Sequence, residues 1–353
     1  MNYIKKKKNK LSQDCMLTIA IPTYKRPNLL YEALKSAVYQ STNNEYEIIV
    51  LDNCNEKEFV KQVDKIVNSF CEFKNIKLFR NKSNVGMFGN WNACLNKANG
   101  KYISILNDDD LLDSKFVENV LLNIKDSQML IYDFRVFSEK KYKEKIGGKL
   151  RKIAEKFNIN KRKKISITDL LFRNPSNGSL GVVMNRKKAI LIGGYDSKFY
   201  PASDYYFNYK YIEKYGGIYI NQKLASYRLL VNESFKKDTL KNFIILDYKL
   251  REKICFKYFK NNKLILNFSN NLNLNQASSQ VARYILLREC KKADFSNIKV
   301  SPKVKLNNKL IFLLLISQYL CILFELFILF AWKFIFLLSR IIDYLKDIKY
   351  DKK

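Results

Sequence analysis

The chain has 353 residues, 47% hydrophobic and 27% charged, so it has ample apolar material for a core and is not a disordered protein. Seven cysteines, an odd number without a CxxC pair, argue against a zinc knuckle or a disulfide framework. No histidine occurs, so metal or acid–base chemistry must use carboxylates, lysine, tyrosine or thiols. The net charge of +31 suits anionic partners, namely nucleic acid, anionic lipid or phosphorylated small molecules.

Strands and helices alternate over the first 125 residues. Short apolar runs rich in β-formers predict the strands, and apolar residues at helical spacing predict the helices. The predicted strands are 16–21, 46–51, 76–79 and 101–106, and the predicted helices are 28–40, 56–70 and 91–98. Alternation of this kind predicts an α/β fold, with a mostly parallel sheet flanked by helices.

Carboxylates follow two of these strands, at the sheet edge where ligands bind in open α/β folds. Asp52 ends one strand, and Asp108, Asp109 and Asp110 follow another. Three successive carboxylates favour a cation that neutralises them, and Mg²⁺ or Mn²⁺ would take such oxygen ligands together with substrate phosphates. The alternative is an acidic turn that caps the following helix.

The later chain gives weaker patterns. Strands are predicted at 129–137, 179–185, 218–221 and 224–229, and a helix is predicted to begin at Ser203-Asp204 and run to about Tyr215. The basic stretch 1–15 lacks the apolar segment of a signal peptide, so we expect the catalytic part to stay cytoplasmic. Residues 16–232 are expected to form the main domain, and 233–302 a helical extension.

The C-terminal segment 303–353 is different in character. Residues 310–339 are nearly all apolar or aromatic, which is longer than the roughly 20 residues that span a bilayer. Both flanks are rich in lysine and arginine, and the positive-inside rule places basic flanks in the cytoplasm. We therefore expect a peripheral, monotopic or re-entrant segment at the cytoplasmic face of the inner membrane, where anionic lipid attracts it. A buried core helix is the alternative.

Three motifs occur in order: IAIPTYKRPNLLYEALKSAVYQ, EIIVLDN and NVGMFGNWNACLNKANGKYISILNDDDLL. With a weaker continuation through GGYDSKFYPASDYYF, they resemble family 2 glycosyltransferases of the GT-A fold. The resemblance implies a nucleotide-sugar-binding half at 16–125 and an acceptor-binding half at 126–232. It also implies Mg²⁺ or Mn²⁺ as cofactor, a nucleotide-diphosphate sugar as donor, with a UDP-sugar first among the candidates, and a glycan or lipid-linked acceptor.

The resemblance also implies roles for single residues. Those expected to bind the nucleotide sugar are Pro22, Thr23, Tyr24, Arg26, Asp52, Asn53, Asn84, Asn92, Asp108 and Arg228. Asp109 and Asp110 are the expected metal ligands. Asp204 matches the family's catalytic aspartate, as the general base for an inverting displacement in cell-surface polysaccharide synthesis. Without the resemblance, Asp204 reads as an ordinary helix cap.

Three other classes compete with this hypothesis. A nucleic-acid-binding protein would use the positive charge and the 23 tyrosines, but no such motif occurs and the basic residues are spread through the chain, so we expect no nucleic-acid partner. A nucleotidyltransferase would show a Gly-rich loop where this chain has PTYKRP. A non-catalytic membrane-associated protein would have no need for both Asp109 and Asp204.

Overall fold

A computed structural model describes residues 15–73, 75–124, 127–137, 162–172, 174–228, 237–260, 298–301 and 304–306. The first half of the sheet is parallel: β1 pairs with β2 and β4, and β2 pairs with β3. Its strands are β1 (Leu17–Thr23), β2 (Glu47–Asp52), β3 (Ile76–Arg80) and β4 (Tyr102–Ile105). Its helices are α1 (Pro27–Val38), α2 (Lys57–Asn68) and α3 (Gly86–Lys97). These elements match the predicted order, although α3 begins five residues before the predicted 91.

The second half of the sheet is mixed, so the sheet is less parallel than predicted: four of its eight described strand pairings are antiparallel. Its strands are β5 (Leu111–Leu112), β6 (Met129–Phe137), β7 (Arg162–Ile165), β8 (Val182–Asn185) and β9 (Gly217–Arg228). Its helices are α4 (Phe116–Asn123), α5 (Ile167–Phe172), α6 (Arg186–Leu191) and α7 (Ser203–Tyr215). β8 is antiparallel to β4 and β6, whereas β9 is parallel to β6 and antiparallel to β5 and β7. The strand order is β3-β2-β1-β4-β8-β6-β9-β5, with β7 beside β9.

Two apolar layers cover the faces of this sheet. Alternate residues of each strand point to opposite faces, so Ile19 and Ile21 of β1 enter one layer while Ala20 enters the other. Helices α1, α2 and α4 cover the first layer, and Phe116 of α4 is fully buried there. Helices α3, α5, α6 and α7 cover the second. This packing fixes the strand ends, and with them the loops that carry the polar residues.

The chain divides into two units, residues 1–270 and 271–353. In the first unit, α8 (Lys237–Tyr258) forms within the segment predicted to be helical, and its Leu250 and Ile254 join the second apolar layer. In the second unit, β10 (Ile298–Ser301) and β11 (Val304–Leu306) form an antiparallel pair at the end of that segment. No described helix is long and apolar enough to cross a membrane. The basic tail 1–14 and the apolar run 310–339 lie outside the described residues.

Candidate active site

Three polar loops meet at the carboxyl edge of the parallel half of the sheet. Thr23 ends β1 directly beside Asp52, which ends β2, and the backbone N–H of Asn53 donates to the carbonyl of Thr23. On the other side of β1, β4 leads into the loop 106–110. Because β1 lies between β2 and β4, the sheet brings together residues that are far apart in the chain.

Thr23 and Arg26 contact the first two aspartates of this loop. The Thr23 hydroxyl donates to Asp108 Oδ2 at 2.8 Å. Arg26 Nη1 lies 3.3 Å from Asp108 Oδ1 and 2.8 Å from Asp109 Oδ2. The Arg26 side chain is 40% exposed, so its guanidinium is accessible from solvent. The predicted residues Thr23, Arg26, Asp108 and Asp109 therefore form one cluster.

Asp110 and Arg228 form a buried second half of the cluster. Asp110 Oδ1 accepts the backbone N–H of Arg228 at 3.0 Å, and Asp110 Oδ2 accepts Asn107 Nδ2 at 3.3 Å. Arg228 Nε donates to the Asp109 carbonyl at 3.0 Å, and its Nη2 pairs with Glu32. Asp110 thus fixes the end of β9 beside the acidic loop, with both carboxylate oxygens engaged.

The loop after β2 forms a polar wall next to Thr23. Asp52 is fully buried, and its carboxylate binds Arg80 Nε at 2.9 Å. Asn53 donates to Asn84 Oδ1 at 2.8 Å and accepts from Asn81 Nδ2 at 3.0 Å. The predicted residues Asp52, Asn53 and Asn84 are therefore adjacent. Their polar atoms also hold one another in place.

Pro22, Tyr24 and Asn92 occupy three different surroundings. Pro22 lies within β1 opposite Leu51, and the Tyr24 ring is 41% exposed just beyond the end of that strand. Asn92 instead faces the backbone of Tyr195: its Nδ2 donates to the Tyr195 carbonyl at 2.7 Å, and its Oδ1 accepts the Tyr195 N–H at 2.8 Å. Asn92 therefore anchors α3 to the turn before α7 and lies apart from the Thr23 cluster in its polar contacts.

Asp204 is buried in the first turn of α7. Its Oδ2 accepts Asn174 Nδ2 at 2.8 Å, while its Oδ1 accepts no hydrogen bond of good geometry from a described residue. The segment that carries Asn174 continues to Ser179, whose hydroxyl donates to Asn107 Oδ1 at 3.3 Å. One loop between α5 and β8 therefore contacts both Asp204 and the residue that opens the acidic loop.

Burial controls the protonation of these carboxylates. It raises the pKa of Asp204 to about 6, although the nearby backbone N–H of Tyr205 and the Asn174 amide oppose the rise. Burial also raises the pKa of Asp108 to about 6, against the attraction of Arg26. For Asp110, burial and then the charge of Asp109 raise the pKa to about 8. A buried carboxylate with a pKa just below neutrality is suited to accept a proton.

Asp109 fits a divalent cation that also binds substrate. Its carboxylate supplies the oxygen donor that Mg²⁺ and Mn²⁺ prefer, and the side chain of its partner Arg26 is 40% exposed. No set of three metal-ligating side chains converges among the described residues. A cation at Asp109 would therefore take its other ligands from water and from a bound diphosphate, as Mg²⁺ sites in phosphate-binding enzymes do.

The sequence patterns did not point to Arg80, Asn174 or Asn208. Arg80 ends β3 next to Asp52. Its position at the end of a predicted strand could have placed it at the same edge of the sheet as Asp52. Asn174 and Asn208 contact each other at 2.9 Å across 34 residues of sequence, so spacing alone gave no signal for them.

Comparison with known proteins gives the family. The sequence profile described as "Glycosyl transferase family 2" matches residues 18–191. The Campylobacter jejuni GalNAc(5)-diNAcBac-PP-undecaprenol beta-1,3-glucosyltransferase is 27% identical over 307 residues, which cover 85% of this chain and 93% of the relative.

Two solved structures show the same architecture. S. aureus TarS 1-349 in complex with UDP-GlcNAc aligns with a TM-score of 0.51 and 13% identity over 77% of this chain and 83% of TarS. Mannosyltransferase PcManGT from Pyrobaculum calidifontis, in complex with GDP-Man and Mn²⁺, aligns with a TM-score of 0.50 and 16% identity over 79% and 76% of the two chains. The predicted GT-A fold is confirmed, with a large central sheet between helices. With its family profile and its glycosyltransferase relatives, the chain is a glycosyltransferase and belongs to family 2.

Proposed function

We propose that the enzyme transfers a sugar, with inversion, from a nucleotide-diphosphate sugar to a hydroxyl of a glycan or lipid-linked oligosaccharide. The proposal is supported by two separate carboxylates whose surroundings differ. Asp109 is bound to an accessible arginine, and Asp204 is buried with a raised pKa and one unpartnered oxygen. The first suits a cation and a diphosphate, and the second suits a general base.

The binding half would hold the nucleotide in the Thr23 cluster. Pro22, Thr23 and Tyr24 would line the base and ribose, beside the wall of Asp52, Asn53 and Asn84. Asp108, held by Thr23, would contact the ribose. Arg26 and Arg228 would balance the diphosphate charge, and Asp109 would hold Mg²⁺ or Mn²⁺. Asp110 was also predicted as a ligand, but its two carboxylate oxygens are engaged by Arg228 and Asn107, so it would instead hold β9 beside the acidic loop. When bound, the cation supplies charge stabilisation for the leaving diphosphate.

The acceptor half would perform the proton transfer. Asp204 Oδ1 would take the proton of the acceptor hydroxyl while that oxygen attacks the anomeric carbon of the donor. The bond from that carbon to the diphosphate breaks in the same step, so the configuration inverts.

The acceptor class is supported by the relative whose printed name contains an undecaprenol-linked glycan. A UDP-sugar is the first donor to test, because TarS carries UDP-GlcNAc, and GDP-mannose is the second, because PcManGT carries GDP-Man. We place the enzyme in the synthesis of a cell-surface polysaccharide.

Transfer with a defined stereochemistry tests this function. The full chain is incubated with Mn²⁺, a polyprenyl-pyrophosphate-linked glycan and either UDP-glucose, UDP-GlcNAc or GDP-mannose, and NMR of the product gives the anomeric configuration. We expect acceptor-dependent release of nucleotide and an inverted product. A retained configuration, or release at the same rate with and without acceptor, would contradict the proposal.

The protonation of Asp204 predicts the pH dependence. A base works only when ionised, and its pKa of about 6 lies above that of an ordinary aspartate. We therefore expect kcat at saturating donor to fall about tenfold per unit below about pH 6. The fall in kcat/KM should be steeper, because the pKa of Asp108 in the donor-binding cluster is also raised to about 6. Initial rates between pH 4.5 and 8.5, roughly the range around that pKa, check this. An acid limb near the ordinary aspartate pKa of about 4 would contradict it.

We further propose that the enzyme acts as a peripheral protein at the cytoplasmic face of the membrane. The net charge of +31 supports this placement, because each basic group near an anionic surface adds about 1 kcal/mol of attraction. Co-sedimentation of the full chain with vesicles is expected to increase with phosphatidylglycerol content and to weaken in high salt. Equal binding to neutral vesicles would contradict an electrostatic role.

A further inference from the structure

A directional chain of hydrogen bonds ends on Asp204. The Ser176 hydroxyl donates to the Gly178 carbonyl at 2.8 Å, and Ser176 Oγ accepts Asn208 Nδ2 at 2.7 Å. Asn208 Nδ2 also donates to Asn174 Oδ1 at 2.9 Å, and Asn174 Nδ2 donates to Asp204 Oδ2 at 2.8 Å. The chain joins the loop between α5 and β8 to two successive turns of α7.

The groups at the two ends of this hydrogen-bond chain, the Gly178 carbonyl and the Asp204 carboxylate, can only accept hydrogen bonds. The Gly178 carbonyl has no proton to give, so Ser176 must donate to it and must accept from Asn208. The amide nitrogen of Asn208 then faces Asn174, which leaves the Asn174 amide nitrogen facing Asp204. An ionised carboxylate also only accepts, so the order is consistent at its second end. Asn208 is 2% exposed, which keeps water from competing with these bonds.

We propose that Asn174 is a positioning residue that prepares Asp204 for catalysis. It occupies Oδ2 and leaves Oδ1, which is buried and has no side-chain hydrogen-bond partner among the described residues, to receive the acceptor proton. Its N–H also stabilises the ionised form of the carboxylate, because a hydrogen bond to a charged group favours the charge. This inference rests on the proposed role of Asp204 as the base.

The backbone N–H groups of Tyr205 and Gly178 also lower the pKa of Asp204, but they are the same in every variant of Asn174, so a comparison of variants isolates the side chain at position 174. The titratable groups that face it are Tyr195, Tyr205 and Asp247. Burial raises the pKa of both tyrosines, and it raises the pKa of Asp247 to about 8, against the attraction of Arg251. Asp108, whose pKa is also raised to about 6, is held by Thr23 and Arg26 and not by Asn174, so a shift of the acid limb in a variant of Asn174 reports on Asp204.

The test compares Asn174→Leu, Asn174→Gln and Ser176→Ala with the unchanged enzyme, in the full chain. For Asn174→Leu we expect kcat at pH 7 to fall about 10- to 100-fold, the range of a hydrogen bond to a charged group, and the acid limb of kcat/KM to move to higher pH. Asn174→Gln keeps the amide, so it should restore part of the lost kcat and move the acid limb part of the way back. Ser176→Ala removes the anchor at the far end of the hydrogen-bond chain but leaves the Asn174 donor on Asp204, so its acid limb should move in the same direction and by less than that of Asn174→Leu.

Nucleotide binding by calorimetry separates these outcomes from misfolding. Should Asn174→Leu fail to bind nucleotide, the smaller Asn174→Ala carries the same expectation. An acid limb that stays in place in a folded Asn174 variant would overturn the positioning role and leave the proposed function standing. Full activity of Asp204→Asn would overturn the proposed function itself.

Discussion

Asp204→Asn is expected to lower kcat by about 100- to 10,000-fold, which is the contribution typical of a positioned general base. The amide has nearly the shape of the carboxylate, so the fold of α7 should remain, but it cannot take a proton at neutral pH. Affinity for the nucleotide should change little, because the polar contacts of Asp204 lie with Asn174 and not with the Thr23 cluster. Steady-state kinetics with saturating donor and acceptor measure this change.

Asp196→Asn is the matched control for this variant. Asp196 precedes α7 in the same segment, and its carboxylate accepts the Lys198 N–H at 3.1 Å, a bond that asparagine can also accept. The control should keep kcat near that of the unchanged enzyme. Comparable losses in both variants would show that the segment is sensitive to any substitution and would remove the case for Asp204 as the base.

Asp109→Asn is expected to lower kcat/KM for the donor by about 100- to 1000-fold, since a metal ion supplies several kcal/mol of charge stabilisation to the transition state. The variant should also need more Mn²⁺ to reach half-maximal rate. Loss of the ion pair with Arg26 adds little, because that side chain is 40% exposed and exposed pairs contribute roughly 0–1 kcal/mol. Initial rates over a Mn²⁺ titration check the prediction.

Asp113→Asn serves as the control for Asp109. Asp113 follows β5, four residues after Asp109, and its carboxylate accepts the Lys115 N–H at 3.1 Å and pairs with Arg135 at the surface. We expect its Mn²⁺ dependence to match that of the unchanged enzyme. An unchanged Mn²⁺ dependence in Asp109→Asn itself would assign the cation to another group.

The elements with strong local patterns were predictable. The runs that became β1, β2 and β4 are fully buried, so their apolar character is continuous in the sequence. α3 was predicted to begin at 91, because Gly86 and Gly89 disfavour helix and hide its first turn. The strands expected at 218–221 and 224–229 form one strand, β9, whose register with β6 shifts near Asp133. Such irregularity depends on a partner strand that the local sequence does not reveal.

The site residues also divide into those that the local sequence predicts and those that depend on tertiary packing. Thr23, Asp52 and Asp108 follow buried strands, and the parallel order of the strands brings them together. Asn92 was predicted to line the nucleotide cleft, but the rotation of α3 turns its amide toward Tyr195. That rotation is set by packing against the sheet, so residue spacing alone could not give it. Asn174 depends on a contact between a loop and a distant helix.

In the proposed mechanism, a nucleotide and a divalent cation bind together at Asp109, separately from the base. Calorimetric titration of UDP and GDP into the full chain, with and without Mn²⁺, tests it most directly when Asp109→Asn and Asp204→Asn are measured in parallel. Mn²⁺ is expected to strengthen the binding of one nucleotide, Asp109→Asn to lose this effect, and Asp204→Asn to keep it. Binding that is independent of Mn²⁺ and equal in all three proteins would contradict the claim.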